Sequence, residues 1–74
     1  MWTYFFELRG AEARTILERI ARDLPDRGSS AELLRSADEP DLYLLRCSVP
    51  KPIDDLPEEP RVWRFLDADS AIGG

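Results

Sequence analysis

Trp2-Thr3-Tyr4-Phe5-Phe6-Glu7-Leu8-Arg9 runs through Gly10 into Ala11-Glu12-Ala13-Arg14-Thr15-Ile16-Leu17-Glu18-Arg19-Ile20-Ala21-Arg22-Asp23-Leu24, and the change of period at Gly10 decides the fold. The first run is rich in aromatic and β-favouring residues, which fit a pleated surface, so it reads as a strand. Alternation puts Trp2, Tyr4, Phe6 and Leu8 on one face and Phe5, between Thr3 and Glu7, on the other. Both faces therefore need at least partial cover. In the second run Ala13, Ile16, Leu17, Ile20, Ala21 and Leu24 recur at the three- and four-residue spacing of an amphipathic helix. Pro25 disfavours helical backbone in the residue before it and Gly28 follows, so the helix is expected to end at Leu24. The opposite helix face offers Arg14/Glu18, Glu18/Arg22 and Arg19/Asp23 at i,i+4, the pattern of a solvated face.

Further along, Ser30-Ala31-Glu32-Leu33-Leu34-Arg35-Ser36 and Leu42-Tyr43-Leu44-Leu45-Arg46-Cys47-Ser48-Val49 read as two strands around the turn Ala37-Asp38-Glu39-Pro40-Asp41. So short a connection implies an antiparallel hairpin. Ala31 to Arg35 are good helix formers, but the run is short between Gly28 and the Pro40 turn, which favours a strand. Residues 50–60 hold four of the 6 prolines and the acidic pairs Asp54/Asp55 and Glu58/Glu59. They predict a stiff, extended connection with one short turn near Ile53 to Leu56. Arg61-Val62-Trp63-Arg64-Phe65-Leu66-Asp67 then restores a strand, with Trp63 and Phe65 on one face and Val62 and Leu66 on the other. The chain thus reads as a single domain over residues 1–67, with a loosely held tail over 68–74.

The order β-α-β-β-β predicts an α+β fold: a sheet of about four antiparallel-biased strands with a single helix on one face. One helix covers only part of one face. Surface scaling for a chain of 74 residues and 8.5 kDa buries about 62% of the unfolded surface. Apolar transfer then contributes ~115 kcal/mol against ~110 kcal/mol of ordering entropy, a balance close to zero. With Cys47 as the 1 cysteine and His 0, a disulfide is excluded and a structural zinc site is not expected. Oligomerisation is the remaining staple. The expectation is a homodimer, sheet against sheet with the helices outside.

Lys+Arg 10 against Asp+Glu 15 gives a net charge of -5, opposite to the electrostatic footprint of a nucleic-acid binder or of a protein held on an anionic membrane. No apolar stretch approaches the length of a transmembrane helix, and Met1-Trp2-Thr3 lacks the basic start of a signal peptide. A cytoplasmic protein is expected, and the lone thiol agrees with a reducing compartment. The sequence has no Asn, no Gln and no His, and among its basic residues only Lys51 is not arginine. Such a composition resembles that of heat-adapted proteins, although an Arg bias follows equally from nucleotide composition. The missing His removes the commonest general base near neutral pH.

The stretch Ala31-Glu32-Leu33-Leu34-Arg35-Ser36-Ala37-Asp38-Glu39-Pro40-Asp41-Leu42-Tyr43-Leu44-Leu45-Arg46, preceded by a strand and an amphipathic helix, resembles the middle of antibiotic-biosynthesis-monooxygenase-like domains. The resemblance covers residues 2–49 and rests on a strand-turn-strand pattern. It implies a ferredoxin-like sheet paired as a dimeric α+β barrel. Past Val49 the chain departs from the family, which usually has a second helix where this one has its Pro-rich connection. Characterised members are associated with an Asn, Trp and His constellation; without Asn and His no such site carries over, and Trp2 or Trp63 alone does not restore it.

Candidate chemistry falls to other side chains. Cys47 lies between Leu45 and Val49 in the strand alternation, so it reads as a core thiol; a nucleophile would need a lowered pKa and a base. Arg46, on the opposite face, either orients an anionic ligand or pairs with Glu7, Glu32 or Asp67, or reaches solvent. Tyr4, Tyr43 and Trp63, with Trp2, either line a pocket for a flat ligand or form ordinary core and interface. The ligand-binding candidates are thus Tyr4, Tyr43, Arg46 and Trp63; no catalytic residue, metal ligand or cofactor is expected. The adjacent carboxylates at 54–55 and 58–59 point in different directions on an extended chain and read as solvated. Three functions remain open: a non-catalytic homodimeric domain, which is favoured; a binder of a small hydrophobic or aromatic ligand between sheet and helix; and, as the resemblance implies, a cofactor-independent monooxygenase or isomerase.

Overall fold

The computed structural model describes residues 1–24 and 30–67. They form β1 (Trp2–Arg9), α1 (Ala13–Asp23), β2 (Ser30–Arg35), β3 (Leu42–Val49) and β4 (Arg61–Leu66). Type and order match the expectation, and the ends differ by one or two residues, as fraying ends do. Leu24 closes α1 as its cap and not as its last helical residue: its backbone is already extended (φ -68, ψ 151), the conformation a following proline demands. The expected tail lies outside the described residues, as do Pro25 and Gly28.

Gly10 makes the switch from strand to helix. Its φ of 122 lies in the region that L side chains avoid, its N–H donates to the Asp41 carbonyl at 2.9 Å, and its own carbonyl accepts from Ala13 N–H at 3.2 Å. One glycine thereby ties the end of β1 to the β2–β3 turn and opens α1. Ser36 Oγ accepts the N–H groups of Asp38 and Glu39 and shapes that turn from inside.

The sheet has the order β2-β3-β1-β4, and every neighbouring pair is antiparallel. Because β1 and β2 both oppose β3, they run parallel to each other with β3 between them. That arrangement requires the crossover α1 supplies. Among the described residues the result is a four-stranded α+β fold with one helix, compatible with a ferredoxin-like arrangement.

Register separates the two faces. On the helix side Trp2, Tyr4, Phe6 and Leu8 of β1 sit opposite Val49, Cys47, Leu45 and Tyr43 of β3. Tyr4, Phe6, Leu45, Cys47 and Val49 are buried there with Leu17 of α1, and Ile20 and Ala21 of the helix pack against them. The helix has partial help. Ile53 and Leu56 of the Pro-rich connection pack against this core, and Ile53 N–H donates to Tyr4 Oη at 2.9 Å. The connection is thus more than an extended spacer: its two apolar residues cover sheet that α1 does not reach, while Asp54, Asp55, Glu58 and Glu59 stay exposed. Of the three helix pairs only Arg14–Glu18 closes, at 3.6 Å; Arg22 Nε instead donates to the Glu18 carbonyl at 3.4 Å.

Candidate functional site

The face of the sheet away from α1 is the largest departure from a closed core. Strand alternation and register build it in cross-strand rows: Glu32, Arg46, Phe5 and Trp63 in one, Leu34, Leu44, Glu7 and Arg61 in the next, and Ser30, Ser48, Thr3 and Phe65 on the other side. No described element packs over it. Leu34, Trp63 and Phe65 stay 40%, 41% and 52% exposed, and Phe5, Leu42 and Leu44 are half-buried beside them. Phe5 meets Phe65 edge-on at 5.6 Å between ring centroids, and Arg61 lays its guanidinium 4.4 Å from the centre of the Trp63 ring. These stacks hold the aromatic rings in place on the surface.

Charge is distributed over this face in both signs. Arg46 lies 3.9 Å from Glu32, each side chain more than half exposed, so the pair is a solvated surface contact. Arg9 at the end of β1 makes two bonds to Glu39, at 3.2 and 2.7 Å, which fasten the β2–β3 turn to β1. Hydrogen bonding to Glu39, then its charge, raises the Arg9 pKa further above its already high ordinary value.

The four residues singled out from the sequence do not converge. Tyr4 and Tyr43 lie on the helix side, Arg46 and Trp63 on the open side. Tyr4 is fully buried with its hydroxyl engaged by Ile53 N–H, and Tyr43 sits opposite Leu8, about four residues or ~13 Å along β1 from Tyr4. Arg46 and Trp63 share a row with Phe5 between them, ~10 Å apart across two strand spacings. Sequence reasoning missed the Arg61–Trp63 stack, although the i,i+2 spacing on one strand face already placed the two together. Cys47 is buried, and burial pushes its thiol pKa up, with a backbone hydrogen bond involving Tyr4 opposing the shift. A raised thiol pKa is the opposite of what a nucleophile needs.

Among the described residues no helix is long and apolar enough to cross a membrane, and no group of three or more Cys, Asp or Glu is placed to hold a metal ion. Fold and surface together define a small α+β protein whose sheet, among the described residues, is covered on one side and open on the other. Neither the family models, nor the curated proteins, nor the solved structures compared with this chain match it. The resemblance to antibiotic-biosynthesis monooxygenases therefore rests on the strand-turn-strand pattern alone.

Proposed function

We propose that this chain is a non-catalytic homodimeric module whose open sheet face is buried by the same face of a second copy, with α1 of each copy outside. The observation that carries the reading is the uncovered apolar surface of this face, Leu34, Leu42 and Leu44 on β2 and β3 and Phe5, Trp63 and Phe65 on β1 and β4, with Leu34, Trp63 and Phe65 40% to 52% exposed.

Size and charge favour a second copy as the occupant. Four strands at ~4.8 Å spacing and six residues at ~3.3 Å rise make a face of ~380 Å² in projection. Side-chain relief brings two such faces toward the ~1,200 Å² at which specific interfaces begin. The chain as a whole carries -5, so two copies repel each other over most approaches. The open face instead carries Glu7 and Glu32 with Arg46 and Arg61, Arg9 at its end being paired with Glu39, a balanced mixture that meets its own image without net repulsion. The non-catalytic part of the reading is supported by the buried Cys47 thiol, whose pKa burial raises, and by the separation of Tyr4, Tyr43, Arg46 and Trp63.

Sedimentation equilibrium tests it. The expected result is twice the chain mass at micromolar concentration for the wild type, and the chain mass for Trp63→Glu and Leu34→Glu, with far-ultraviolet circular dichroism confirming that both variants stay folded. A wild-type chain that sediments as a folded monomer at high micromolar concentration overturns the proposal.

A further inference from the structure

On the other side of the sheet, the end of α1 and the Pro-rich connection flank a half-open cavity of about 310 Å³. This is the lower end of the range for small-molecule sites. Phe6 forms its floor, Ile20 and Leu24 come from the helix side, and Ile53 and Leu56 from the connection. The last four are only half-buried, so the apolar walls are not filled by the described residues' own packing. The connection's wall is fixed by the 2.9 Å bond from Ile53 N–H to the buried Tyr4 hydroxyl, which lowers the ordering cost of binding.

Among the described residues the charged part of the lining has one sign. Asp23 and Asp55 contribute exposed carboxylates, and no Lys or Arg is among the described residues that line the cavity. Asp23 is also the last residue of α1, where the unsatisfied carbonyls of the helix end carry partial negative charge. An anionic ligand, one of the roles the sequence left open for Arg46, does not suit such a site, and Arg46 lies on the opposite face.

We propose that this cavity binds a small amphipathic cation: an alkyl or aryl body against Ile20, Leu24, Ile53 and Leu56, with an ammonium group held beside Asp23 and Asp55. The site lies on the covered side of the sheet and does not depend on the dimer.

Octylammonium, octanoate and octanol are isosteric probes that differ in head-group charge. Each is titrated into the full chain while the amide resonances of Ile20, Leu24, Ile53 and Leu56 are followed. Octylammonium should saturate those resonances and bind about tenfold more tightly than octanoate, a preference that shrinks with added salt. Asp23→Asn and Asp55→Asn should each weaken octylammonium about threefold, as exposed charges do, and leave octanol unchanged. Ile20→Trp, folded by circular dichroism, should weaken all three by filling the space. Equal affinity for octylammonium and octanoate, shifts confined to the open face, or no saturation by octylammonium overturns the assignment. Octylammonium affinity should be the same in Trp63→Glu, so that loss of the dimer and loss of the cavity site are read separately.

Discussion

Tyr4 does two jobs from a position with no exposed surface. Its ring stacks at 6.0 Å from Phe6 in the core, and its hydroxyl accepts the Ile53 N–H. Tyr4→Phe keeps the ring and orphans the amide, so a loss of about 1–2 kcal/mol is expected from urea unfolding at fixed protein concentration. Cys47, opposite Tyr4 in the register, is the titration probe of the same core. Burial raises its thiol pKa above the unfolded value, so its contribution to stability is fully present below the ordinary thiol range and is lost as pH rises through that range toward the folded value. Urea midpoints for the wild type should therefore fall more steeply with alkaline pH than those of Cys47→Val, and a thiol reagent should label Cys47 only as the chain unfolds. Equal slopes for the two proteins would show that the thiol ionises alike in both states. Both core positions were legible from alternation between Leu45 and Val49 and along Trp2 to Leu8. The hydroxyl's partner was not, because Ile53 is 49 residues away and the pairing depends on how the connection folds back.

Each element follows from a local rule, and each can be broken locally. Gly10 adopts φ 122, and a Cβ there would meet nothing within 4 Å, so Gly10→Ala costs backbone strain alone, about 1–2 kcal/mol by urea unfolding. Leu17 is the deepest side chain of α1, and Leu17→Ala removes it from a core with few substitutes. A loss of about 2–5 kcal/mol is expected, enough to unfold a marginal domain as read by circular dichroism. The helix and four strands were legible because the period switches at Gly10, because Pro40 and the Pro-rich stretch punctuate the chain, and because aromatic and β-branched residues mark β1 and β4. What stayed hidden was the role of the connection: its prolines and paired acids describe a solvated spacer, and only packing shows Ile53 and Leu56 completing the cover that α1 leaves short.

At the scale of the molecule, a near-zero stability balance and an open apolar face describe the same deficit. If a second copy covers the face, folding and association are linked, and the thermal midpoint should rise with protein concentration for the wild type but stay constant for Trp63→Glu. Concentration-independent midpoints for both proteins would separate the fold's stability from any pairing. The candidate residues show the limit of a linear reading most plainly. Alternation separated Tyr43 from Arg46 within one strand but could not relate Tyr4, Tyr43, Arg46 and Trp63 across strands, because which strands adjoin, and hence which side chains meet, is set by the order β2-β3-β1-β4. Short-range physics, in the form of side-chain period, proline and glycine, was sufficient to determine the elements, their faces and the excess of apolar surface over the cover available. Pairing across the chain decided the rest: the stacking of Arg61 on Trp63 in an open face, the closure of the core by Tyr4 and Ile53, and the acid-lined cavity at the end of α1. Those features join residues far apart in sequence, so they exist only once the strands have found their neighbours.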